Sequence, residues 1–308
     1  MQRSTNSFIM LLLVILLYAL FGFTFTLGKI VLFYATPFFI IATRMIIGGG
    51  ALLGYIIWHR TKTKFPEKHD LWLYAVYTFF NIYIFYGARS WALQTISTTK
   101  AALLMNLSPF FTALFAYFLL KEKLSMHKLI GLVIGFSGMI PMLMTHTSPE
   151  ENMWWNFAFF STPELVMIFA VACLSYSMII MQKLVKHRNH SPLLVNALCM
   201  ISGGVLAGGT SLIFETNVLF GDKQLFALAI GLQIIISNIL CSNLQAFLLK
   251  SYSTTFLSFA SFISPLCAAG YGYLLLNEQI TWLHLLSFCI VILGLTIFYF
   301  DDFKKSNT

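Results

Sequence analysis

The segment STTKAALLMNLSPFFTALFAYFLLKEKLSMHKLIGLVIGFSG, residues 97–138, is followed 156 positions later by STTFLSFASFISPLCAAGYGYLLLNEQITWLHLLSFCIVILG, residues 253–294. The two segments align without a gap and share an initial Ser-Thr-Thr, then Ser-Pro, Tyr, Glu and a final Gly. The offset is close to half of the 308 residues, which indicates a duplicated chain. Internal duplication of membrane segments is typical of secondary transporters, whose substrate site lies between the two halves. The pattern therefore favours transport.

The composition excludes a soluble domain. Apolar residues make up 58% of the chain and charged residues 10%, whereas soluble domains contain about 25% charged residues. The net charge of +8 does not indicate nucleic acid, because the basic residues lie between apolar runs and form no stripe with interleaved aromatic residues. We therefore expect a lipid bilayer around the protein and no nucleic-acid partner.

Ten apolar segments are long enough to cross a hydrocarbon core of about 30 Å, which needs roughly 20 residues per helix. The first segment is longer than the apolar region of a signal peptide, so we expect it to be retained as a membrane helix. The predicted fold class is an all-α membrane protein with ten transmembrane helices. They are expected at residues 8–28, 37–58, 71–94, 98–120, 127–145, 163–183, 191–213, 224–249, 254–276 and 281–300.

The positions of the basic residues predict the orientation. With both termini cytoplasmic, 14 basic residues lie inside and three outside, and the reverse orientation would invert the bias that cytoplasmic loops normally show. The three outside are Lys29, Lys100 and Lys223. The 14 inside are Arg3, Arg60, Lys62, Lys64, Lys68, Lys121, Lys123, Lys128, Lys183, Lys186, Arg188, Lys250, Lys304 and Lys305.

These helices divide into two five-helix repeats, residues 1–148 and 161–300, followed by a short cytoplasmic tail, residues 301–308. Because five is odd, the second repeat must enter the membrane with opposite polarity, which is an inverted-topology repeat. Glu122 is then expected at the cytoplasmic face and its counterpart Glu278 at the external face. At those positions we expect each carboxylate to cap or brace the next helix rather than to couple protons.

The chain resembles the drug/metabolite transporter superfamily and, within it, the EamA family. The resemblance covers nearly the whole sequence. It is carried by Pro37 and Arg44, Ser108-Pro109, Glu122, Gly131, Gly135, Gly138, Ser264-Pro265, Glu278 and Gly294. The first helix departs from the family pattern, since it carries Tyr18-Ala19-Leu20-Phe21-Gly22 where the family often has a Trp-Gly pair. Arg89 is not part of the usual pattern either, which makes it a candidate for substrate recognition.

Two arginines lie within predicted membrane helices. A charge in hydrocarbon is costly, so such residues usually face the protein interior or a wet cavity. Arg44 could pair with carbonyl groups or a helix end, and Arg89 could extend to the outer interface. If both face the centre, they suit a carboxylate or phosphate, which guanidinium groups bind through two hydrogen bonds.

Further candidates for substrate binding are polar or aromatic residues within the helices. The amides are Asn106, Asn238 and Gln245. The aromatic side chains are Tyr18, Tyr86 and Tyr176, which could stack on an aromatic or cationic substrate. The alternative for each is an ordinary structural role, as an interhelical hydrogen bond for the amides or as packing for the tyrosines.

Prolines and glycines mark special points of the predicted helices. Pro109 and Pro265 are expected in mid-helix, where a missing backbone hydrogen bond produces a kink, and they are candidate hinges. The alternative is a passive packing kink. Pairs of small residues four apart predict close helix packing. The glycine pairs are Gly50/Gly54, Gly131/Gly135 and Gly204/Gly208.

Catalytic, metal and cofactor motifs are absent from the sequence. It shows no His/Glu metal spacing, no nucleophile elbow and no phosphate loop. The five cysteines lie in apolar stretches without close pairing and are predicted to be small buried hydrophobic residues. We expect no catalytic residue, no metal site and no cofactor.

The most consistent function is alternating-access transport of a small polar metabolite in a bacterial inner membrane. The resemblance implies a cavity between helices 1, 3, 4, 6, 8 and 9, and some carriers of this family in intracellular bacteria import S-adenosylmethionine. Uptake or exchange of an adenosylated metabolite is thus one interpretation, and export of amino acids or other metabolites is the alternative. The alternative from a different functional class is a channel or a structural membrane protein. A homodimer is compatible with this architecture but is not required.

Overall fold

The computed structural model describes residues 2–60, 65–120, 126–138, 140–143, 161–251, 257, 260–261, 263–279 and 281–298. These residues form helices, their connections and one isolated antiparallel bridge between Ala35 and Leu219. The α-helices are α1 (Gln2–Leu32), α2 (Pro37–Trp58), α3 (Leu71–Tyr77), α4 (Tyr86–Leu93), α5 (Thr98–Met105), α6 (Ser108–Leu120), α7 (Met126–Ser137), α8 (Ile140–Leu143), α9 (Thr162–Gln182), α10 (Pro192–Phe214), α11 (Lys223–Gln233), α12 (Ser242–Ser251), α13 (Ile263–Leu276) and α14 (Trp282–Phe298).

The protein is a multi-pass membrane protein. Within the described ranges, six helical stretches are long and apolar enough to cross a membrane. They are Leu12–Leu32, Pro37–Trp58, Leu71–Leu93, Thr162–Val185, Pro192–Phe214 and Lys223–Gln245. Large apolar side chains such as Leu212, which is 88% exposed, cover the outer surface. Helices suit this setting because each satisfies its backbone hydrogen bonds internally, as a lipid environment requires.

Two long stretches contain π-helical segments at matching positions. Thr78–Phe85 joins α3 to α4, and Ile234–Cys241 joins α11 to α12. The two segments have the same length of eight residues and are separated by the offset of 156 that relates the duplicated sequence segments. A third segment, Lys183–His187, extends α9. Such i→i+5 turns are rare and are often found at functional sites.

The segment predicted as a single helix at residues 98–120 is broken. Helix α5 ends at Met105 and α6 begins at Ser108, so Pro109 lies in the first turn of α6 rather than in mid-helix. Pro265 likewise lies in the first turn of α13. At these positions proline removes an N–H that has no partner within the helix anyway, so the prolines begin helices instead of kinking them.

Helix pairs that join the two sequence halves form the main packing contacts. Helix α2 packs on α10, α7 on α14, α1 on α13 and α6 on α9. The α7–α14 contact has backbone against backbone, because a Cβ atom on Gly131 would lie 2.5 Å from the Gly294 oxygen. The predicted close packing is thus confirmed for Gly131/Gly135 but is wrong for Gly50 and Gly54, which have no described atom within 4 Å of a Cβ position.

Carboxylates of the second half accept hydrogen bonds from helix starts of the first half. Glu278 accepts from the Thr98 backbone N–H at 2.8 Å and from the Thr98 hydroxyl at 2.7 Å, at the start of α5. Glu215 accepts from the N–H groups of Phe38 and Phe39 at 2.9 and 3.0 Å, at the start of α2. Glu278 caps a helix as predicted, but this helix is α5 of the other half and not the next helix, α14, as expected. Glu122 lies outside the described residues.

Substitution of Gly131 by alanine should destabilise the protein. The new methyl group would meet the backbone of α14, which cannot move aside as a flexible side chain can, and overpacking of this kind costs about 1–3 kcal/mol. The control is Gly50→Ala, where the methyl group enters open space and the helix propensity improves. Thermal unfolding of the purified proteins in detergent should show a lower Tm for Gly131→Ala only. Equal melting temperatures for the two variants would contradict the close approach.

Candidate functional site

A cavity of about 230 Å³ lies between the helices. Residues from seven of the ten expected membrane segments line its wall. Six of these are segments 1, 3, 4, 6, 8 and 9, which were expected to form the cavity, and the seventh is the segment 191–213, which contains α10. The lining residues are Tyr18, Phe21, Thr24, Phe25, Tyr77, Asn81, Ile82, Phe85, Tyr86, Arg89, Ala102, Met105, Asn106, Ser108, Pro109, Thr112, Leu174, Met178, Met181, Asn196, Met200, Ser237, Ser242, Gln245, Leu257, Ser261 and Ser264.

Equivalent positions of the duplicated sequence meet in this wall. Seven pairs of lining residues are separated by the offset of 156. They are Tyr18/Leu174, Phe25/Met181, Asn81/Ser237, Tyr86/Ser242, Arg89/Gln245, Met105/Ser261 and Ser108/Ser264. The two halves therefore line the cavity with corresponding positions, although the side chains at most of these positions differ.

Arg89 supplies the charge of the cavity wall. Its residue is 6% exposed, and its guanidinium carbon lies 4.2 Å from the centre of the Phe25 ring. Two of its nitrogens, Nε and Nη2, have no hydrogen-bond partner among the described residues. The described lining also contains neither Asp nor Glu, so no carboxylate of the wall neutralises this cation. A buried charge of this kind needs an opposite charge, which a ligand carboxylate in the cavity would supply.

Arg44 lies behind the wall rather than in it. The residue is 2% exposed, and its guanidinium carbon lies 4.5 Å from the centre of the Tyr86 ring. Its Nη2 donates to the Ser237 hydroxyl at 3.4 Å. Because Tyr86 and Ser237 both line the cavity, Arg44 positions two lining side chains and places a second positive charge close to them.

Five other candidate residues from the sequence line the cavity, namely Tyr18, Tyr86, Asn106, Pro109 and Gln245. Asn106 lies in the break between α5 and α6, and its Nδ2 has no hydrogen-bond partner in the described part of the chain. Asn106 is 2% exposed, so this unpaired amide is buried beside the cavity at the point where the helix is interrupted.

Besides Arg44, three candidates lie outside the lining. The Tyr176 ring packs edge-on against Phe80, with ring centroids 5.0 Å apart. Asn238 is 1% exposed, and its Nδ2 lies 3.2 Å from the Met45 sulfur. Pro265 is buried within α13 and follows the lining residue Ser264.

The sequence analysis did not identify all the residues that line the cavity. Asn196 and Met200 of α10 and Asn81 of the first π-helical segment line the cavity. The Asn81 Nδ2 donates to the Ser177 hydroxyl at 2.8 Å, which fixes this amide against α9. Asn81 and Asn196 are polar residues in apolar stretches, and that was the available signal. It could not separate them from residues that make only interhelical hydrogen bonds.

An ionic cluster around the buried Asp70 and His190 joins the two halves outside the cavity lining, and the side chains of Arg188 and His69 at its edge are exposed. His190 Nε2 lies 3.0 Å from Asp70 Oδ2, and Arg188 Nε lies 3.6 Å from Asp70 Oδ1. Burial raises the pKa of the Asp70 carboxyl, but the hydrogen bond from His190 and the charges of His69, His190 and Arg188 outweigh it and lower the pKa below its ordinary value.

Metal-binding and thiol chemistry receive no support from the geometry. The described residues contain no group of three or more His, Cys, Asp or Glu that could hold a metal ion. All five cysteines are free, and Cys173, Cys199 and Cys241 are buried as predicted. Cys289 is exposed and Cys267 is half-buried, so the prediction of uniformly buried cysteines is wrong for these two.

A helical membrane bundle around a partly polar cavity has the architecture of a membrane carrier. The chain belongs to the EamA-like transporter family, whose pattern matches residues 8–144 and 161–300. A solved crystal structure covers 95% of this chain and 96% of its own, with a TM-score of 0.62 and 15% sequence identity, which shows a shared fold.

Two similar proteins carry the name S-adenosylmethionine/S-adenosylhomocysteine transporter. The protein from Chlamydia muridarum is 32% identical over 290 residues, which cover 92% of this chain and 89% of the relative. The protein from Chlamydia trachomatis serovar L2 is also 32% identical over 290 residues, which cover 92% of this chain and 86% of the relative.

Replacement of Asp70 by asparagine should lower the Tm at pH 7, because the ionised carboxylate holds His190 and Arg188 of the other half. The folded carboxyl has the lower pKa, so its contribution is present above the unfolded pKa of about 4 and is lost as the pH falls through the folded pKa. The difference in Tm between the wild type and Asp70→Asn should therefore shrink below about pH 4. Glu67→Gln, at an exposed position, is the control. A difference independent of pH would contradict the ionic role.

Proposed function

We propose that the protein is a secondary carrier that exchanges or takes up S-adenosylmethionine and S-adenosylhomocysteine by alternating access. The single observation that carries the proposal is the unpaired Arg89 guanidinium in the cavity. Both metabolites have an amino-acid end whose carboxylate would neutralise it. The names of the two Chlamydia relatives, which match over most of the chain, support this substrate class.

The proposed transport unit has ten transmembrane helices in two inverted repeats, residues 1–148 and 161–300, with a tail at 301–308. The helix packing supports this topology. If α1 corresponds to α9 and α6 to α13, the α1–α13 contact becomes the α9–α6 contact when the halves are exchanged, and both contacts occur. The matched π-helical segments and the seven lining pairs follow the same correspondence.

In this topology, ionic contacts between the halves lie at both ends of the cavity. The contacts of Glu278 with Thr98, and of Lys100 with Glu164, belong to the external side. The Asp70–His190 contact belongs to the cytoplasmic side. Rocking of one half against the other would break one set while the other stays intact, so that access alternates around a fixed site. The breaks before Ser108-Pro109 and before Ser264-Pro265 are the proposed hinges.

The cavity wall suits both a sulfonium cation and its neutral thioether product. The wall offers aromatic faces, including Tyr18, Phe21 and Phe85, and such faces attract organic cations. The described lining holds no carboxylate that would require a positive charge on the substrate. The methylated and demethylated forms could therefore share one site, with the carboxylate on Arg89 as the common anchor.

The proposed setting is a bacterial inner membrane, with both termini in the cytoplasm. We propose that one chain suffices for transport, and that the homodimer that the architecture would allow is not required. We propose transport without a catalytic step or a resident cofactor, and the small-molecule substrate as the principal partner besides the lipid bilayer.

Replacement of Arg89 by glutamine should abolish most transport. Hydrogen bonds to charged groups contribute about 1.5–3 kcal/mol, so counterflow of labelled S-adenosylhomocysteine in proteoliposomes should fall at least about tenfold. Arg60→Gln, at an exposed arginine, is the matched control and should retain wild-type counterflow. Arg44→Gln should have a smaller effect, because Arg44 acts through Tyr86 and Ser237.

The same assay decides between the proposed function and its alternatives. Unchanged counterflow in Arg89→Gln would contradict the proposal that Arg89 binds the substrate carboxylate. Counterflow of amino acids but not of adenosylated compounds would favour the amino-acid exporter. Flux of S-adenosylhomocysteine that neither saturates nor shows counterflow would favour a channel.

A further inference from the structure

We propose that Gln245 recognises the adenine base of the substrate, so that Arg89 and Gln245 hold its two ends. This inference rests on the proposed function and adds a residue that determines specificity. It starts from the lining pair Arg89/Gln245, in which equivalent positions of the two halves carry a cation and a neutral amide. In an inverted repeat, equivalent positions are related by an axis in the membrane plane, so the two side chains lie towards opposite membrane faces.

The surroundings of Gln245 suit a neutral aromatic ring. Tyr18 and Leu257 belong to one apolar cluster of the bundle, and both line the cavity together with Gln245, Ser242 and Ser261. The tyrosine provides an aromatic face, and stacking of a base on such a face contributes about 1–3 kcal/mol by alanine substitution. A second apolar cluster contains Phe85 and Leu174, with Tyr86, Met105 and Met178 packed against it.

The amide group of Gln245 is available for a ligand. Gln245 is half-buried, and its side chain makes no hydrogen bond within the described residues. Its neighbours in the same helix are different, since the Asn243 Nδ2 donates to the Ile239 carbonyl at 2.8 Å and Ser242 donates to the Ser237 carbonyl at 2.9 Å. Gln245 is thus the amide of α12 whose donor and acceptor remain free to face the cavity.

The hydrogen-bonding pattern of adenine matches a glutamine amide. The amide oxygen accepts from the 6-amino group while the amide N–H donates to an adjacent ring nitrogen, which is the pairing that glutamine makes with adenine in DNA recognition. The opposite placement does not fit. A base beside Arg89 would leave the guanidinium without a counter-charge, and a carboxylate beside Gln245 would lie away from both arginines.

A thermodynamic cycle tests the assignment. The two ligands are S-adenosylhomocysteine and its analogue in which hydrogen replaces the 6-amino group. Each is measured as an unlabelled inhibitor of S-adenosylhomocysteine counterflow in proteoliposomes. In the wild type the analogue should inhibit at least about tenfold more weakly, because the Gln245 oxygen then lacks its donor. In Gln245→Ala the two ligands should inhibit equally, within about twofold.

The matched control is Asn243→Ala, which removes an amide of the same helix whose donor is already used within that helix. It should keep the wild-type ratio between the two ligands. If Gln245→Ala keeps that ratio as well, or if the wild type does not distinguish the ligands, the inference is overturned while the proposed function stands. If the wild type shows no counterflow of S-adenosylhomocysteine, the proposed function fails, and the inference with it. If Gln245→Ala does not fold, the same comparison is made with Gln245→Met, which keeps the side-chain length and removes the amide, and the two ligands should again inhibit equally.

Discussion

A charge within hydrocarbon must find a counter-charge, a helix end or a cavity, and this constraint governs where the charged residues lie. Glu215 and Glu278 accept hydrogen bonds from helix starts of the other half, and Asp70 holds histidine and arginine side chains. The carboxylates near the ends of the bundle thereby join its halves. Arg89 lacks such a partner among the described residues, and the proposed substrate carboxylate would meet the same requirement.

The duplication places equivalent residues of the two halves at equivalent positions, but the side chains at these positions often differ. Ser108 and Ser264 are identical and begin equivalent helices, whereas Arg89 and Gln245 occupy equivalent places with different functional groups. Conformational change between two packings of similar energy depends on residues that are the same in both halves. Recognition of a substrate whose two ends differ depends on equivalent positions that carry different side chains. One duplicated scaffold can satisfy both requirements because they fall on different residues.

Sequence patterns predicted the six long membrane helices of the described residues and several residues of the wall, because hydrophobic length and buried charge leave clear signals. Arg89, Asn106 and Gln245 were found in this way. The rotation of each helix about its own axis could not be predicted. A helix surrounded on all sides by lipid or protein shows little amphipathic periodicity in its sequence. Tyr176 and Asn238, which the sequence offered as binding candidates, lie outside the described lining, whereas Asn196 lines the cavity and was not a candidate. The break after Met105 depends on tertiary contacts and left no distinctive pattern beyond Pro109.

The matched π-helical segments have a consequence for the history of the chain. An i→i+5 turn encloses one more residue than an i→i+4 turn, so each segment corresponds to a local insertion within an α-helix. Since both insertions occupy the same place in their repeat, the simplest history has one insertion in an ancestral half, before the gene was duplicated. A deletion in a modern copy would turn the rest of that helix by about 100°. Such a change would rotate Arg89 or Gln245 away from the cavity, so selection on either residue would retain the older insertion.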